Sequence, residues 1–447
     1  MSSLRDVLRA TAFNAKVSLT CPSAFRISKE LMKCERLPPD QLLALNWQRT
    51  RDIITYAYNY SPFYHRLYDE AGLDPARLAD PMQLPDVPTV TKEDLRAHFR
   101  HVAIPGIARR HLRLSTTGGT TGAPLSVLHD RRFPVQVASW RALRWWDVSP
   151  SDDASHVYRL RHKYPNLNRV LWWPTRRVFL DASRLAPENI RAFLLAHNSV
   201  RPRILMGYVG ALEEVARFIA QTKTTFAAPS VVWATSGPLG EPQRAWLEGI
   251  FRAPVFDQYG CCEVYWIAAE CRLQRVLHAF SDLRTLEVIR PDGSPCLPGE
   301  YGEIAVTDLF NRAFPLIRYR LGDRAAWMKD TCACGSTLPL LSKVSGRLTD
   351  VLRRPDGGAI SGAFLTTIFD DAPEAVSAFN VHQDADYSVT VSFVPRDRAI
   401  LSHKLPHLER QLLNSFGTAV PIKFIEVDSI PHQDGKPKPV TSDAPPP

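Results

Sequence analysis

Arg203-Ile204-Leu205-Met206-Gly207, Val231-Val232-Trp233-Ala234-Thr235 and Val255-Phe256 are three short apolar runs, and two stretches of helical period separate them. The first stretch, Leu212 to Ala220, puts Leu212, Val215, Ala216 and Ile219 on one face, and the second runs from Glu241 to Phe251. Strand, helix, strand, helix, strand in that order predicts a parallel sheet, because two parallel strands must be joined by a crossover long enough to hold a helix. Ligands of open parallel sheets bind beyond the carboxyl ends of the strands. Those ends are Gly207-Tyr208, Ser236-Gly237-Pro238 and Gln258-Tyr259-Gly260, each with a small or aromatic residue where a ligand would enter.

Upstream lies Ser115-Thr116-Thr117-Gly118-Gly119-Thr120-Thr121-Gly122-Ala123, between the runs His111 to Leu114 and Leu125 to Leu128. It reads as a loop joining two strands. Glycines let successive backbone N–H groups converge on one point, and hydroxyls add rotatable donors around it, so the natural occupant is a polyphosphate. A Walker A loop is excluded: no lysine follows Gly122, and Pro124 leads into a strand instead of a helix.

The remaining chain divides in two. Residues from about 40 to 70 have helical period, with Leu42, Leu43, Trp47, Ile54 and Tyr58 expected on one face, and Thr91-Lys92-Glu93-Asp94 has the form of a capped helix start. A helix is expected around Pro134 to Trp146. After Gly260 come strands at Thr285 to Ile289 and Gly302 to Thr307, with a Pro291-Asp292-Gly293 turn between them. Near Gly346 a smaller unit begins: a strand from Tyr387 to Phe393, a helix marked by Leu401, Leu405, Leu408 and Leu412, and a strand from Ile422 to Val427. The expected fold class is mixed α/β, with a large N-terminal domain at 1–345 built on parallel sheet and a small α+β lid at 346–440. Residues 441–447 read as a disordered tail.

A chain of 447 residues with 45% hydrophobic and 23% charged residues buries a sizeable core. Its formal charge of +9 comes from scattered arginines without an aromatic-basic array, which favours anionic small substrates over nucleic acid. No apolar run is long enough to span a membrane and the first 25 residues lack a signal-peptide core, so a cytoplasmic protein is expected.

Four more stretches follow the Thr/Gly loop in order: Asp257-Gln258-Tyr259-Gly260-Cys261-Cys262-Glu263, Tyr319-Arg320-Leu321-Gly322-Asp323, Gly346-Arg347-Leu348-Thr349-Asp350 and Asp434-Gly435-Lys436. With Ser61-Pro62-Phe63-Tyr64 and Ala234 to Leu239, they make almost the whole chain resemble the adenylate-forming enzymes of the phenylacetate–CoA ligase and capsule-biosynthesis-ligase type. The resemblance implies a two-step reaction: a carboxylic acid attacks the α-phosphate of ATP to give an acyl-AMP and pyrophosphate, and a thiol, usually coenzyme A, takes the acyl group.

It also implies roles. Ser115, Thr116, Thr117, Gly118, Gly119, Thr120, Thr121 and Gly122 would hold the β- and γ-phosphates, with Thr116 and Thr117 taking part in the chemistry, and Glu263 would help to bind Mg²⁺. Tyr259 would pack on adenine within a nucleotide site that takes in Ser236, Gly237, Pro238, Asp257, Gln258 and Gly260. Asp323 would accept both ribose hydroxyls, Arg347 would lie near ribose and phosphate, and Lys436 would reach the α-phosphate and carboxylate oxygens. The acid would lie against Tyr208, Ser236, Gly237, Tyr259 and Trp140. Four places depart from the family pattern: Ala123 where lysine is common, Cys262 before the glutamate, Thr349 where many relatives carry an acid, leaving Asp350 as the expected pivot of the small domain, and the end Lys436-Pro437-Lys438-Pro439, which lacks the basic residue that often follows unless Lys438 substitutes.

Cys271, His278, Cys332 and Cys334 form a Cys₃His set of the kind that holds structural zinc, with Cys261 and Cys262 as alternative ligands. A similar site occurs in some members of that ligase family. Alternatives to CoA as acceptor are an amine, a carrier-protein thiol or another group that takes the acyl or the AMP. A reading of another class is a nucleotide-binding scaffold without catalysis. A homodimer is an open possibility.

Overall fold

The computed structural model describes residues 4–116, 125–159, 171–237, 239–273, 276–344, 352–355, 359–360, 365, 375–416, 420–430 and 440–444. Among these, residues 4–116, 125–151 and 256–344 make one compact unit, and residues 152–255 together with those beyond 351 make a second. The boundary expected at 345/346 falls in 345–350, outside the described residues.

In the first unit, the helices Leu4–Thr20, Ser23–Cys34, Pro39–Tyr60 and Pro62–Glu70 lead into the short helix Lys92–Ala97. That short helix opens on a capping box: the Thr91 hydroxyl accepts from Asp94 N, and Asp94 Oδ2 accepts from Thr91 N at 2.8 Å. Leu42, Trp47 and Ile54 are buried on Pro39–Tyr60 as expected, but Leu43 is 57% exposed. One residue is a turn of about 100° on a helix, which carries Leu43 off the face its neighbour shares.

Three antiparallel strands, Arg284–Ile289, Gly302–Asp308 and Tyr319–Ala325, form one sheet of this unit. A second antiparallel set runs through Val255–Tyr259, Ala268–Glu270, Leu277–Ala279 and Leu340–Leu341. Ile54, Tyr64, Tyr68, Phe314 and Tyr319 are fully buried between these sheets and the helices. Arg318 is buried just before the Tyr319 motif, with φ of 44°. Its guanidinium donates to the carbonyls of Pro85, Val87 and Gly293 and pairs with Glu287, so the buried charge is compensated and the Pro-rich segment is fastened to the strand.

The second unit contains the parallel sheet. Val231–Thr235, Ile204–Tyr208, Ala154–Tyr158 and Arg177–Asp181 lie side by side in that order, all parallel. The helices Val209–Thr222 and Glu241–Phe251 are the expected crossovers, and Leu212, Val215, Ala216 and Leu247 are fully buried. Each buried Leu or Val side chain contributes ~1.5–3 kcal/mol on leaving water. Gly207 is required by packing: a Cβ there would sit 2.9 Å from Val157 Cβ and 3.0 Å from Leu212.

The residues beyond 351 add a four-stranded sheet in the order Ile422–Glu426, Val389–Pro395, Val376–Gln383, Val440–Ser442, with its own core around Val381, Val391, Leu408 and Leu412. Two expectations are corrected here. Tyr387 lies in a turn with φ of 70°, its N–H donating to Asp384 O, and the strand begins only at Val389. The tail is ordered through Ser442: Val440, Thr441 and Ser442 pair in parallel with Val381, His382 and Gln383, because a sheet edge was waiting for a strand that local composition does not announce. Among the described residues no helix is long and apolar enough to cross a membrane.

Candidate active site

The strands flanking the Thr/Gly loop form the expected hairpin, Leu112–Thr116 against Ser126–Asp130, closing at Thr116 opposite Ser126. The loop proper, Thr117 to Pro124, lies outside the described residues. Its base is tied to the Tyr259–Tyr265 segment. Ser115 Oγ and the Tyr265 hydroxyl are 2.5 Å apart, the Tyr265 ring stacks on His129 at 4.3 Å, and His129 Nε2 donates to Cys262 O at 2.9 Å. Burial holds the His129 pKa below its ordinary value, so the ring is neutral near pH 7. Gly260 has no alternative: a Cβ would lie 1.9 Å from the Tyr265 carbonyl oxygen. The Gln258 side chain braces the same turn, donating to the carbonyls of Tyr259 and Tyr265.

Two carboxylates border this turn, and each is met by a phenol. Glu263, 6% exposed, accepts from the Tyr319 hydroxyl at 3.2 Å. Asp323 accepts from the Tyr259 hydroxyl at 2.8 Å, a bond that joins the end of Val255–Tyr259 to the strand Tyr319–Ala325 of the other sheet. Burial, and then the neighbouring Asp323 charge, drives the Tyr259 phenol well above its usual pKa, so it remains a donor. Asp323 is presented by a bulge. Glu303 pairs with Arg324 and Ala305 with Arg320, so three residues of one strand, 321–323, face a single residue of the other. Gly322 supplies the φ of +82°, and its N–H donates to Glu303 Oε1 at 3.1 Å.

In the second unit, Ser236 follows the strand Val231–Thr235 with φ of 60°, a left-handed conformation unusual for a residue with a Cβ. Tyr208 ends the adjacent strand, its ring edge-on to Tyr158 at 5.0 Å. Gly237 follows Ser236; Pro238, Arg347 and Lys436 lie outside the described residues. Asp257 N–H is bound by Glu270 Oε2 at 2.8 Å. Trp140 is placed elsewhere than expected. It packs against Phe13 and Phe25, at 6.0 and 5.7 Å, in a groove of about 450 Å³ lined by the N-terminal helices and by Val137 and Val148. Its aromatic face made it look like a ligand wall, but the first 35 residues supply helices that use it as packing surface.

Cys271, His278, Cys332 and Cys334 converge, their ligand atoms all lying within 4.8 Å of one another. Cys271 Sγ is 3.5 Å from Cys332 Sγ, and Cys334 Sγ is 3.7 Å from His278 Nε2. A tetrahedron with metal–sulfur bonds of ~2.3 Å has edges of ~3.7 Å, so the spacing fits zinc. Burial pushes the Cys332 thiol up to about 12 and raises Cys334 as well. His278 Nδ1 has no hydrogen-bond partner among the described residues, and the ring is held by Trp145 at 5.2 Å.

No protein-family model matches the chain. Curated proteins do. A phenylacetate–coenzyme A ligase of Thermus thermophilus is 26% identical over 327 residues, covering 71% of this chain and 73% of its own, and one from Escherichia coli is 26% identical over 326 residues. The chain is therefore similar in sequence to phenylacetate–CoA ligases. The Staphylococcus aureus protein CapK extends this likeness, at 21% identity, over 91% of the chain and 89% of CapK. A solved 2-hydroxyisobutyryl-CoA ligase with 2-HIB-AMP and CoA superposes with a TM-score of 0.68 at 19% identity, covering 92% of each chain, so the fold is shared.

Within this ligase-like fold, sequence reasoning missed Tyr319, Tyr265 and His129. Tyr319 had a usable signal, since it opens the motif that Asp323 closes on the same strand. The other two had none, because what matters about them is a partner more than 130 residues away.

Proposed function

We propose that the chain is an AMP-forming acid–thiol ligase. A carboxylate oxygen bonds to the α-phosphorus of ATP as the bond to the β-phosphate oxygen breaks, releasing pyrophosphate. A CoA thiol then bonds to the acyl carbon of the adenylate and AMP leaves. The observation that carries this reading is the hydrogen bond between Tyr259 and Asp323. It puts a ring and a carboxylate side by side at one turn, as adenine and the ribose hydroxyls require.

Glu263 supports the same reading as a Mg²⁺ ligand: it is a buried carboxylate oxygen donor beside that turn, oriented by Tyr319. The cation, when bound, neutralises phosphate charge. Ser115 and Thr116 end the hairpin strand that leads into the phosphate loop, and Lys436 supplies a point charge to the α-phosphate. Ser236, Gly237 and Tyr208 are the residues proposed to meet the acid. In the Cys₃His cluster, Cys271, His278, Cys332 and Cys334 would hold a zinc ion with four protein ligands and leave no position for substrate, which makes the proposed role structural.

The test is carboxylate-dependent pyrophosphate release over a panel of aryl and alkyl acids, with and without CoA. Release that leads to a thioester only when CoA is present supports the ligase. Adenylate formed and passed only to an amine or a carrier thiol changes the acceptor, and no release with any acid removes the assignment.

A further inference from the structure

In the sheet of the C-terminal residues, Gln383 is the last residue of its strand and is fully buried. Its side-chain amide makes four hydrogen bonds. Oε1 accepts from Arg353 N at 2.7 Å and from Ser442 Oγ at 3.1 Å; Nε2 donates to Arg353 O at 2.7 Å and to Tyr387 O at 3.2 Å. The capacity of the group is thereby filled. Its backbone carbonyl also accepts from Asp443 N at 2.8 Å.

The partners stand at two informative places in the chain. Arg353, bound through both its N–H and its C=O as a neighbouring strand would bind it, comes three residues after Asp350, at the start of the small unit. Ser442 belongs to the terminal strand, which begins four residues after Lys436. Four residues of chain reach at most ~14 Å, so where that strand is docked bounds where the lysine can go. His382 reinforces the docking: its Nδ1 meets Thr441 Oγ1 at 2.8 Å, and its Nε2 lies 3.3 Å from Asp384 and 3.6 Å from Asp443.

We propose that Gln383 is a positioning residue for the adenylating step, one amide that clamps the chain following the pivot motif to the chain following the lysine motif. The proposal rests on the ligase reading above and adds to it how the lysine-bearing end is held to the rest of the small unit. An apolar side chain of the same length fills the space but cannot bridge the two segments. The terminal strand that follows the lysine motif then loses its tie to Arg353, while the bulk of the unit stays packed on Val381, Val391, Leu408 and Leu412.

The experiment compares wild type with Gln383→Met, using Ser442→Ala as a milder variant that removes one of the four bonds. Three readouts are taken: carboxylate-dependent ATP–pyrophosphate exchange, thioester formation from a supplied acyl-adenylate and CoA, and amide hydrogen exchange at Arg353 and at 441–443. In Gln383→Met, exchange with pyrophosphate falls roughly tenfold to a hundredfold. Thioester formation stays within about twofold of wild type, because the role proposed above for the lysine is at the α-phosphate during attack on ATP. Amides of both segments exchange faster together.

Equal losses in both half-reactions mean that the residue only stabilises the unit and overturn the proposal. So does a variant in which one segment loosens without the other. If wild type exchanges pyrophosphate with no acid, the ligase reading fails by itself and the assignment to adenylation falls with it. The clamp is still judged by whether the two segments loosen together.

Discussion

Two clusters in the same unit differ in one informative respect. At Cys271, His278, Cys332 and Cys334 the protein brings four soft donors onto one point, and the set is complete as it stands. At Tyr259, Glu263, Tyr319 and Asp323 it brings two hard carboxylates to one turn, each held by a phenol from another segment. The first arrangement has the donor set and the spacing for a single ion. The second orients oxygen acceptors for something larger. One is therefore expected to matter for stability and the other for turnover, and the comparison can be broken at either end.

The largest effect is expected at the closed cluster. Structural zinc in small domains is worth on the order of 10 kcal/mol at neutral pH. Cys271→Ser or Cys332→Ser should abolish stoichiometric zinc in elemental analysis of the purified chain and lower the melting temperature by ~10 °C or more. A metal-free wild type that melts unchanged after chelation would refute the structural role.

At the other cluster, Glu263→Gln keeps an oxygen for the Tyr319 hydroxyl but removes the charge. Adenylation should fall ~100-fold with melting within a few degrees of wild type. Equal loss of stability and activity would erase the distinction between the clusters.

Asp323→Ala should raise the KM for ATP by ~10–100-fold, as loss of charge-assisted hydrogen bonds to ribose predicts. Substrate comparison sharpens this: wild type should discriminate against 2′-deoxy-ATP, and the variant should treat the two nucleotides alike. Tyr259→Phe keeps the ring and removes one donor to Asp323, a change of ~1 kcal/mol that should appear as a several-fold rise in the KM for ATP.

The smallest effect concerns His129, on the second strand of the hairpin that flanks the Thr/Gly loop. Burial depresses its folded pKa below the unfolded value of ~6.5. The unfolded chain therefore takes up a proton that the folded chain refuses. Stability is fully present above pH ~6.5 and is lost as the pH falls toward the folded pKa. His129→Gln should flatten part of that acid slope in denaturant titrations at pH 7 and pH 5.5, and an unchanged slope would show that the ring ionises freely in the folded state.

Much of this was legible before any coordinates. Ile204–Tyr208 and Val231–Thr235 read clearly because strands buried on both faces are continuous apolar runs, whereas their parallel neighbours Ala154–Tyr158 and Arg177–Asp181, which mix polar residues into the run, do not read as strands. The Cys-x-Cys-Gly turn and the order of the motifs around Glu263 and Asp323 could be read as well. Local pattern failed where a distant partner decided the outcome. Leu43 faces water, Trp140 is covered by Phe13 and Phe25, Tyr387 turns instead of pairing, and Thr441 and Ser442 extend a sheet.

By itself, the order of residues determined the strongly periodic helices and the continuous apolar strands, and which side chains can chelate, donate or accept, since these follow from periodicity and functional groups within a few positions. Only the tertiary structure decided that Asp323 rides on a bulge set by Gly322, that it meets Tyr259 from another sheet, and that Gln383 joins Arg353 to Ser442. Those are contacts between residues far apart in the chain. Their geometry depends on how whole sheets and helices bury their apolar faces, which no short window of sequence encodes.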